Sequence, residues 1–348
     1  MAKSRVRPGK KTVEIKEAKY YKTLNNEEVV CTLCPRVCKL KPGELGFCRV
    51  RKNMGGKLYT LAYGRPVAVH VDPIEKKPLY HFFPGSRILS IGTFGCNLGC
   101  LFCQNYDIAR AEYRANFSRY LKPEEIIEAS VNYNSIGIAY TYNEPTVFAE
   151  YVEDISSLAR EKGLKNVMVT NGFISKRVLK EVYRYIDAAN VDLKSMSSEF
   201  YRRYCLGELN PVLDAIIELK SMGVWVEITN LLIPGLNDGH KDIDKLVSWI
   251  INSIGDRVPL HFSAFYPCYQ MLDRPRTSKS VLDMAREIAL SKGMKYVYEG
   301  NVFTTEEGNT YCPSCGALLV ERSYFDVVKL NVKDGRCLKC GNDVDIIC

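Results

Sequence analysis

The sequence predicts an α/β protein built on a sheet of parallel strands, flanked by a cysteine-rich segment and a small metal-binding module. Between residues 87 and 301, short runs rich in β-branched residues alternate with longer helical patterns, and repeated strand–helix units form parallel sheets. Six or seven such units fit a barrel or partial barrel, whose functional site lies at the carboxyl ends of the strands. We expect an N-terminal segment at 1–85, the barrel at 86–302 and the C-terminal module at 303–348.

The individual elements of the barrel can be placed from these patterns. Strands are predicted at 88–91, 136–140, 166–170, 189–193, 224–228, 260–265 and 295–298. One helix begins at Pro123, where proline and two following acids suit a first turn. The other helices are predicted at 146–162, 176–186, 211–222, 241–254 and 278–292.

The composition is that of a soluble globular protein, with 348 residues, 46% apolar and 25% charged. The net charge of +8 could help dock an acidic protein or a nucleic acid, or could serve only solubility. No stretch is apolar for long enough to span a bilayer, and the basic run at 1–11 has no apolar core behind it. We therefore expect a cytoplasmic protein without a membrane partner. In a reducing compartment, fourteen cysteines are more typical of metal sites than of disulfides.

The most informative cysteines are Cys96, Cys100 and Cys103, here called the barrel cysteine set, which directly follow the first barrel strand. Three thiolates can hold three irons of a [4Fe-4S] cluster and leave the fourth iron open, whereas electron-transfer clusters usually have four thiolates. The alternative is three buried or disulfide-bonded cysteines. The C-x3-C-x2-C spacing, with aromatic Phe102 before the third cysteine, resembles the signature of the radical S-adenosylmethionine (SAM) superfamily.

This resemblance implies a fold, a cofactor and a reaction. The fold would be the partial (β/α)6-type TIM barrel of that superfamily. SAM would chelate the open iron, and one electron from the cluster would cleave a carbon–sulfur bond to give a 5′-deoxyadenosyl radical that abstracts hydrogen from a substrate. The three cysteines would be the catalytic residues, and an electron donor such as ferredoxin or flavodoxin would be a partner.

Four further motifs follow successive strands and resemble SAM-binding segments. Thr-Tyr-Asn-Glu-Pro at 141–145 stands where the superfamily has Gly-Gly-Glu-Pro, with the glycines replaced by Tyr142 and Asn143. Thr-Asn-Gly at 170–172 and Asp-Leu-Lys at 192–194 are similar to motifs of glycyl-radical activating enzymes, and 233–238 is similar to a loop that touches adenine there. The resemblance implies SAM contacts from these motifs and from the barrel loop, namely Phe102, Asn143, Glu144, Asn171, Asp192 and Lys194.

A closer resemblance extends over nearly the whole chain. The segments 72–81, 142–145 and 265–267 resemble the pyruvate formate-lyase activating enzyme-like proteins of the AmmeMemoRadiSam group. This implies an oxidoreductase that abstracts hydrogen from a glycine Cα in a protein substrate. An alternative is an enzyme that uses the same radical chemistry to modify a small molecule, a lipid or RNA. The contrasting class is a zinc-stabilised nucleic-acid-binding protein, which the scattered basic residues do not favour.

Two other cysteine groups predict further metal sites. The N-terminal cysteine set, Cys31, Cys34, Cys38 and Cys48, could bind an auxiliary iron–sulfur cluster or a zinc. The C-terminal cysteine set, Cys312, Cys315, Cys337 and Cys340, forms two C-x2-C pairs typical of a tetrahedral zinc or mononuclear iron site in a zinc-ribbon or rubredoxin-like module. Cys205, Cys268 and Cys348 stand alone, as packing residues do. His261 lies on a barrel strand and could line its cavity.

Overall fold

The computed structural model describes residues 15–113, 119–302 and 306–348. The basic run at 1–11 and the predicted start of the C-terminal module at 303 lie outside the described residues. Among the helices described, none is long and apolar enough to cross a membrane.

Six short strands precede the barrel: β1 (Lys16–Glu17), β2 (Tyr21–Thr23), β3 (Val29–Cys31), β4 (Lys39–Leu40), β5 (Arg51–Met54) and β6 (Lys57–Thr60). They pair into two antiparallel sheets of three strands, in the orders β1-β6-β5 and β2-β3-β4. Strands of two to four residues are too short to show a periodicity, so the sequence did not predict them.

A sheet of eight strands forms the wall of the barrel, and its strands follow one another in chain order. They are β7 (Ala68–Pro73), β8 (Arg87–Gly92), β9 (Gly137–Tyr140), β10 (Lys165–Thr170), β11 (Ala188–Asp192), β12 (Trp225–Leu232), β13 (Leu260–Ala264) and β14 (Val297–Gly300). Neighbours from β8 to β14 are parallel, and β7 lies antiparallel on the edge. Each of the seven predicted strands falls on one of β8–β14, so the prediction of a parallel partial barrel is confirmed.

The helices cover the outer side of this sheet. They are α1 (Tyr106–Ala109), α2 (Pro123–Asn132), α3 (Ala149–Glu161), α4 (Lys176–Val182), α5 (Ser198–Phe200), α6 (Asn210–Ser221), α7 (His240–Ile254) and α8 (Lys279–Ser291). Their apolar residues recur every three or four positions and are buried, as in α7 at Ile243, Leu246, Val247, Ile250 and Ile254. Helix α7 ends before Gly255, whose φ of 100° is a left-handed value that favours glycine.

The C-terminal module contains β15 (Thr310–Tyr311), β16 (Leu318–Ser323), β17 (Asp326–Leu330), β18 (Val332–Lys333) and β19 (Arg336–Cys337). It is anchored to the barrel by hydrogen bonds from Phe83 N–H to Ile347 O (2.7 Å) and from Ile347 N–H to His81 O (2.8 Å). The buried guanidinium of Arg322 reaches across this junction and donates to Tyr80 O at 2.5 Å. The module therefore contacts the segment 80–83, which leads into β8.

Candidate radical SAM site

A cavity of about 540 Å³ opens at the carboxyl ends of the parallel strands. Each strand from β8 to β14 contributes lining residues, either from its last positions or from the loop that follows. All the residues that the sequence predicts for the cluster and SAM line this one cavity: Cys96, Cys100, Phe102, Cys103, Asn143, Glu144, Asn171, Asp192 and Lys194. The predicted loop at 233–238 is not among the lining residues in the described chain.

The barrel cysteine set lies on the loop between β8 and α1, and this loop is supported from behind. Gly99 N–H donates to Cys205 O at 2.9 Å, at the end of the π-helical turn Tyr201–Cys205. The Cys268 thiol donates to Phe102 O at 3.3 Å. Two cysteines that stand alone in the sequence therefore pack against the cysteine loop.

The three thiols of the barrel set are protonated when no metal neutralises them. Burial raises the pKa of Cys96 and raises the pKa of Cys103 to about 11. For Cys100, the hydrogen bond with Cys205 raises the pKa most and burial adds to it. Thiols in this state release their protons when metal binds, so assembly of the site and deprotonation are coupled.

Glu144 joins the loop after β9 to the end of β10. One carboxylate oxygen accepts from the hydroxyls of Thr146 (2.6 Å) and Thr170 (2.8 Å), and the other accepts from Asn171 N–H (2.8 Å). Burial raises the pKa of Glu144, although these hydrogen bonds act in the opposite direction. Glu144 also accepts from Thr146 N–H at 3.0 Å, at the start of the 3-10 turn Pro145–Phe148. Glu144 therefore both caps the 3-10 turn and lines the cavity.

Tyr142 and Asn143, which stand in place of the two glycines, shape the loop after β9. Tyr142 has a φ of 71°, a left-handed value that glycine adopts without strain. The side chain of Asn143 accepts from Thr93 N–H (2.9 Å) and donates to Gly95 O (2.9 Å). Asn143 thus ties the loop after β9 to the start of the cysteine loop.

Asn171 connects the end of β10 to the cysteine loop. Its side-chain amide donates to Asn97 Oδ1 at 2.9 Å, and its Nδ2 lies 3.7 Å from Cys96 Sγ. Its Oδ1 accepts from Phe173 N–H at 2.8 Å, which fixes the orientation of the amide. A donor is therefore held beside the sulfur of Cys96.

Asp192 and Lys194 form a charged pair at the end of β11, with Lys194 Nζ 3.1 Å from Asp192 Oδ2. Lys194 Nζ also lies 5.9 Å from the centre of the Phe102 ring. Burial disfavours the ammonium, but the Asp192 carboxylate outweighs burial and raises the pKa of Lys194. The cavity therefore contains a cation close to the cysteine loop.

The sequence did not indicate that the segment 75–80 forms part of the cavity wall. Lys77 is buried, with Nζ 2.6 Å from Asp72 Oδ2, and burial lowers its pKa to about 8. Burial raises the pKa of Glu75 to about 7, and its Oε2 has no hydrogen-bond partner among the described residues. The motif at 72–81 supported the resemblance to a family, but charged residues in a short loop are usually solvated, so nothing in it indicated a cavity.

The C-terminal module also reaches the cavity. Tyr324 and Phe325, at the turn between β16 and β17, line it together with His261 on β13. The two aromatic rings are 4.1 Å apart between centres. His261 Nε2 lies 2.7 Å from a buried oxygen of Glu227, as a structural histidine does. No sequence signal links residue 324 to the barrel, because the contact spans a long separation along the chain.

The C-terminal cysteine set has the geometry of a single-metal site. Its sulfurs all lie within 4.8 Å of one another, with 3.7 Å between Cys312 and Cys340 and 3.9 Å between Cys315 and Cys337. A tetrahedral zinc with Zn–S bonds of about 2.3 Å places its sulfurs about 3.8 Å apart. The set therefore fits zinc or a single iron.

A partial barrel in which the first parallel strand, β8, leads into three cysteines is typical of enzymes that depend on an iron–sulfur cluster. Comparison with known proteins identifies the superfamily. The profile of the radical SAM superfamily matches residues 90–249. An uncharacterized protein of Methanocaldococcus jannaschii is 44% identical over 335 residues, which cover 96% of this chain and 100% of that protein. The chain therefore belongs to the radical SAM superfamily.

Within the superfamily, the chain is similar to activating enzymes. The pyruvate formate-lyase 1-activating enzyme of Escherichia coli is 24% identical over 171 residues, 47% of this chain and 68% of that enzyme. Among solved structures, a domain of a pyruvate-formate lyase-activating enzyme from Bacteroides vulgatus matches 47% of this chain and 99% of that chain, with 21% identity and a TM-score of 0.42. Membership of the superfamily supports an enzyme that uses a [4Fe-4S] cluster and SAM, rather than a nucleic-acid-binding protein.

Proposed function

We propose that the protein cleaves SAM reductively at a [4Fe-4S] cluster held by the barrel cysteine set and abstracts a hydrogen atom from a substrate in the adjoining cavity. The observation that supports this most is that the three cysteines and the polar ends of β9, β10 and β11 line one cavity. Its volume of about 540 Å³ lies within the range of about 300–1,000 Å³ that is usual for small-ligand sites.

The residues around the cavity suit this cofactor pair. Three thiolates ligate three irons, and the bound cluster with SAM supplies the 5′-deoxyadenosyl radical. Lys194 is the cation best placed for the SAM carboxylate, because it lies beside the cysteine loop. Glu144 lines the same cavity and offers an acidic partner for the SAM ammonium, and Asn171 orients Cys96. Phe102 is a flat apolar surface on which adenine can pack.

Two substrate classes remain, and each has its own support. Similarity to activating enzymes favours a glycine Cα of a protein as the hydrogen donor. Tyr324 and Phe325, which line the same cavity, favour a small molecule, because their rings offer aromatic contacts to a compound bound there.

The reaction can be tested without knowledge of the substrate. Protein reconstituted anaerobically with iron and sulfide, then given SAM and dithionite, should release 5′-deoxyadenosine and methionine, which chromatography separates. Cys96→Ala should abolish both products, whereas Cys348→Ala, at an exposed cysteine, should leave them unchanged. The proposal fails if a fully loaded wild-type protein releases neither product.

Deuterium transfer distinguishes the substrate classes. A lysate from host cells grown in deuterated medium is divided by ultrafiltration, and each fraction is added to the loaded enzyme with unlabelled SAM. Deuterium in 5′-deoxyadenosine from the protein fraction, after that fraction is treated with ribonuclease, supports the activase reading. Deuterium only from the small-molecule fraction supports the small-molecule alternative.

A further inference from the structure

The N-terminal cysteine set surrounds a second cavity, separate from the SAM cavity. Its four cysteines line a small void, and no disulfide is present among them. Three of the four are buried, and Cys38 is partly buried. A segment made of very short strands gains stability when four thiolates are tied by a metal centre.

The spacing of the sulfurs distinguishes this set from the C-terminal set. Among the described residues, no three sulfurs of the N-terminal set all lie within 4.8 Å of one another. Zinc would require sulfurs about 3.8 Å apart and would leave no void between them. An iron–sulfur cluster keeps its ligands farther apart, because the thiolates are shared among several irons. The wider spacing and the central void therefore fit a cluster.

The charges around the void also fit an anionic cluster. Arg51 and Arg36 both line it. Arg51 is fully buried, and its two terminal nitrogens bind Glu150 at 2.8 and 2.7 Å. Its Nε is buried and has no hydrogen-bond partner among the described residues. The sulfurs of a bound cluster would accept a hydrogen bond from this Nε–H. Hydrogen bonds of this kind tune the reduction potential of a cluster.

The N-terminal void lies directly beside the barrel cysteines. Cys96 lines the SAM cavity, whereas the next residue, Asn97, lines the N-terminal void. Arg36 Nε donates to Asn97 O at 2.5 Å. A Cβ built on Gly95 would collide with Cys48 O, which shows that the two cysteine loops pack backbone against backbone.

We propose that the N-terminal cysteine set holds an iron–sulfur cluster that passes electrons to the cluster of the barrel set, a role that rests on the proposed function. A one-electron donor of the ferredoxin or flavodoxin class reduces the N-terminal cluster by one electron. That cluster is reoxidised as it reduces the barrel cluster by one electron. Four thiolates leave no open iron for a substrate, so the cluster carries electrons only.

The cluster is tested in a variant that leaves the N-terminal set intact. The triple variant Cys96→Ala, Cys100→Ala, Cys103→Ala is reconstituted with iron and sulfide and analysed for iron, zinc and acid-labile sulfide. It should retain about two to four irons with matching sulfide. Adding Cys31→Ser and Cys34→Ser should remove the sulfide, while circular dichroism reports whether the chain is folded. A second zinc and no sulfide in the triple variant would overturn the assignment.

Adjacency and relay are tested by electron paramagnetic resonance of wild-type protein. Two reduced clusters in neighbouring loops should give a spectrum broadened relative to the sum of the two single-cluster variants, and SAM should perturb only one signal. Reduction of the barrel cluster by reduced flavodoxin should be slower in the Cys31→Ser, Cys34→Ser variant. The relay would be refuted if the wild-type spectrum equals the sum of the two single-cluster spectra and the barrel cluster is reduced at the same rate in the variant. If wild-type protein that holds both clusters does not cleave SAM, the proposed function is refuted instead.

Discussion

The contact between the two cysteine loops predicts an unusually high cost for one small substitution, Gly95→Ala. Gly95 has a φ of 85°, and an added Cβ would collide with the Cys48 carbonyl and lie 2.7 Å from Val50 Cγ1. Gly163 provides the matched control, because its φ of 71° is similar and no atom lies within 4 Å of its added Cβ. Comparing Gly95→Ala with Gly163→Ala therefore separates the cost of backbone strain from the cost of the collision.

The magnitude follows from these two terms. A left-handed backbone costs alanine about 1–2 kcal/mol, and both substitutions include this cost. Overpacking against rigid neighbours adds about 1–3 kcal/mol, which only Gly95→Ala includes. With a urea dependence of about 3 kcal/mol per molar for a chain of this size, the additional loss lowers the midpoint by about 0.3–1 M.

Urea unfolding of anaerobically loaded protein, followed by far-ultraviolet circular dichroism, measures both variants against wild type. We expect Gly95→Ala to lower the midpoint clearly more than Gly163→Ala does. Equal midpoints for the two variants would show that the loops are not packed as described, and the adjacency of the two cluster sites would lose its basis.

Three further predictions concern the barrel cavity and the C-terminal module. Lys194→Gln should weaken SAM binding about 10- to 100-fold by equilibrium filtration, since a charge-assisted hydrogen bond contributes about 1.5–3 kcal/mol; unchanged affinity would exclude Lys194 as the carboxylate partner. Cys312→Ser should remove about one metal ion per chain, by elemental analysis, and lower the melting temperature; full metal retention would contradict the site. Glu75 has its pKa raised from 4.5 to about 7 by burial, so the folded state binds the proton more tightly. As the pH rises from about 4.5 to 7, the free energy of unfolding should therefore fall more in wild type than in Glu75→Gln. Parallel pH profiles of the two proteins would refute this.

The barrel could be predicted because its strands and helices are long enough to carry a pattern. Strand β9 is buried on both faces and reads as a continuous apolar run, whereas α7 shows its buried stripe at helical spacing. The strand-end motifs could be ordered around one site because parallel strands bring their carboxyl ends to one edge. This reasoning expects Glu144, Asn171 and Lys194 at one site, and the structure brings them to one cavity wall, although their roles toward SAM stay predictions.

The remaining features depend on contacts that no local pattern encodes. Tyr324 reaches the cavity because the C-terminal module docks on the segment 80–83 through Ile347 and buried Arg322. Lys77 and Glu75 sit in a short charged loop, and burial of such residues follows from the surrounding fold rather than from their own sequence. The choice between zinc and a cluster at the N-terminal set likewise depends on the distances between sulfurs, which the spacing of cysteines along the chain leaves open.

In the proposed reaction, the barrel cysteine set leaves one iron open for SAM. Electron–nuclear double resonance of the reduced, reconstituted protein with SAM labelled by ¹⁵N at its amino group measures this directly. Coordination predicts a hyperfine coupling between the cluster spin and ¹⁵N that is absent in Cys96→Ala. A reduced cluster at the barrel set that shows no ¹⁵N coupling in the presence of saturating SAM would contradict the claim.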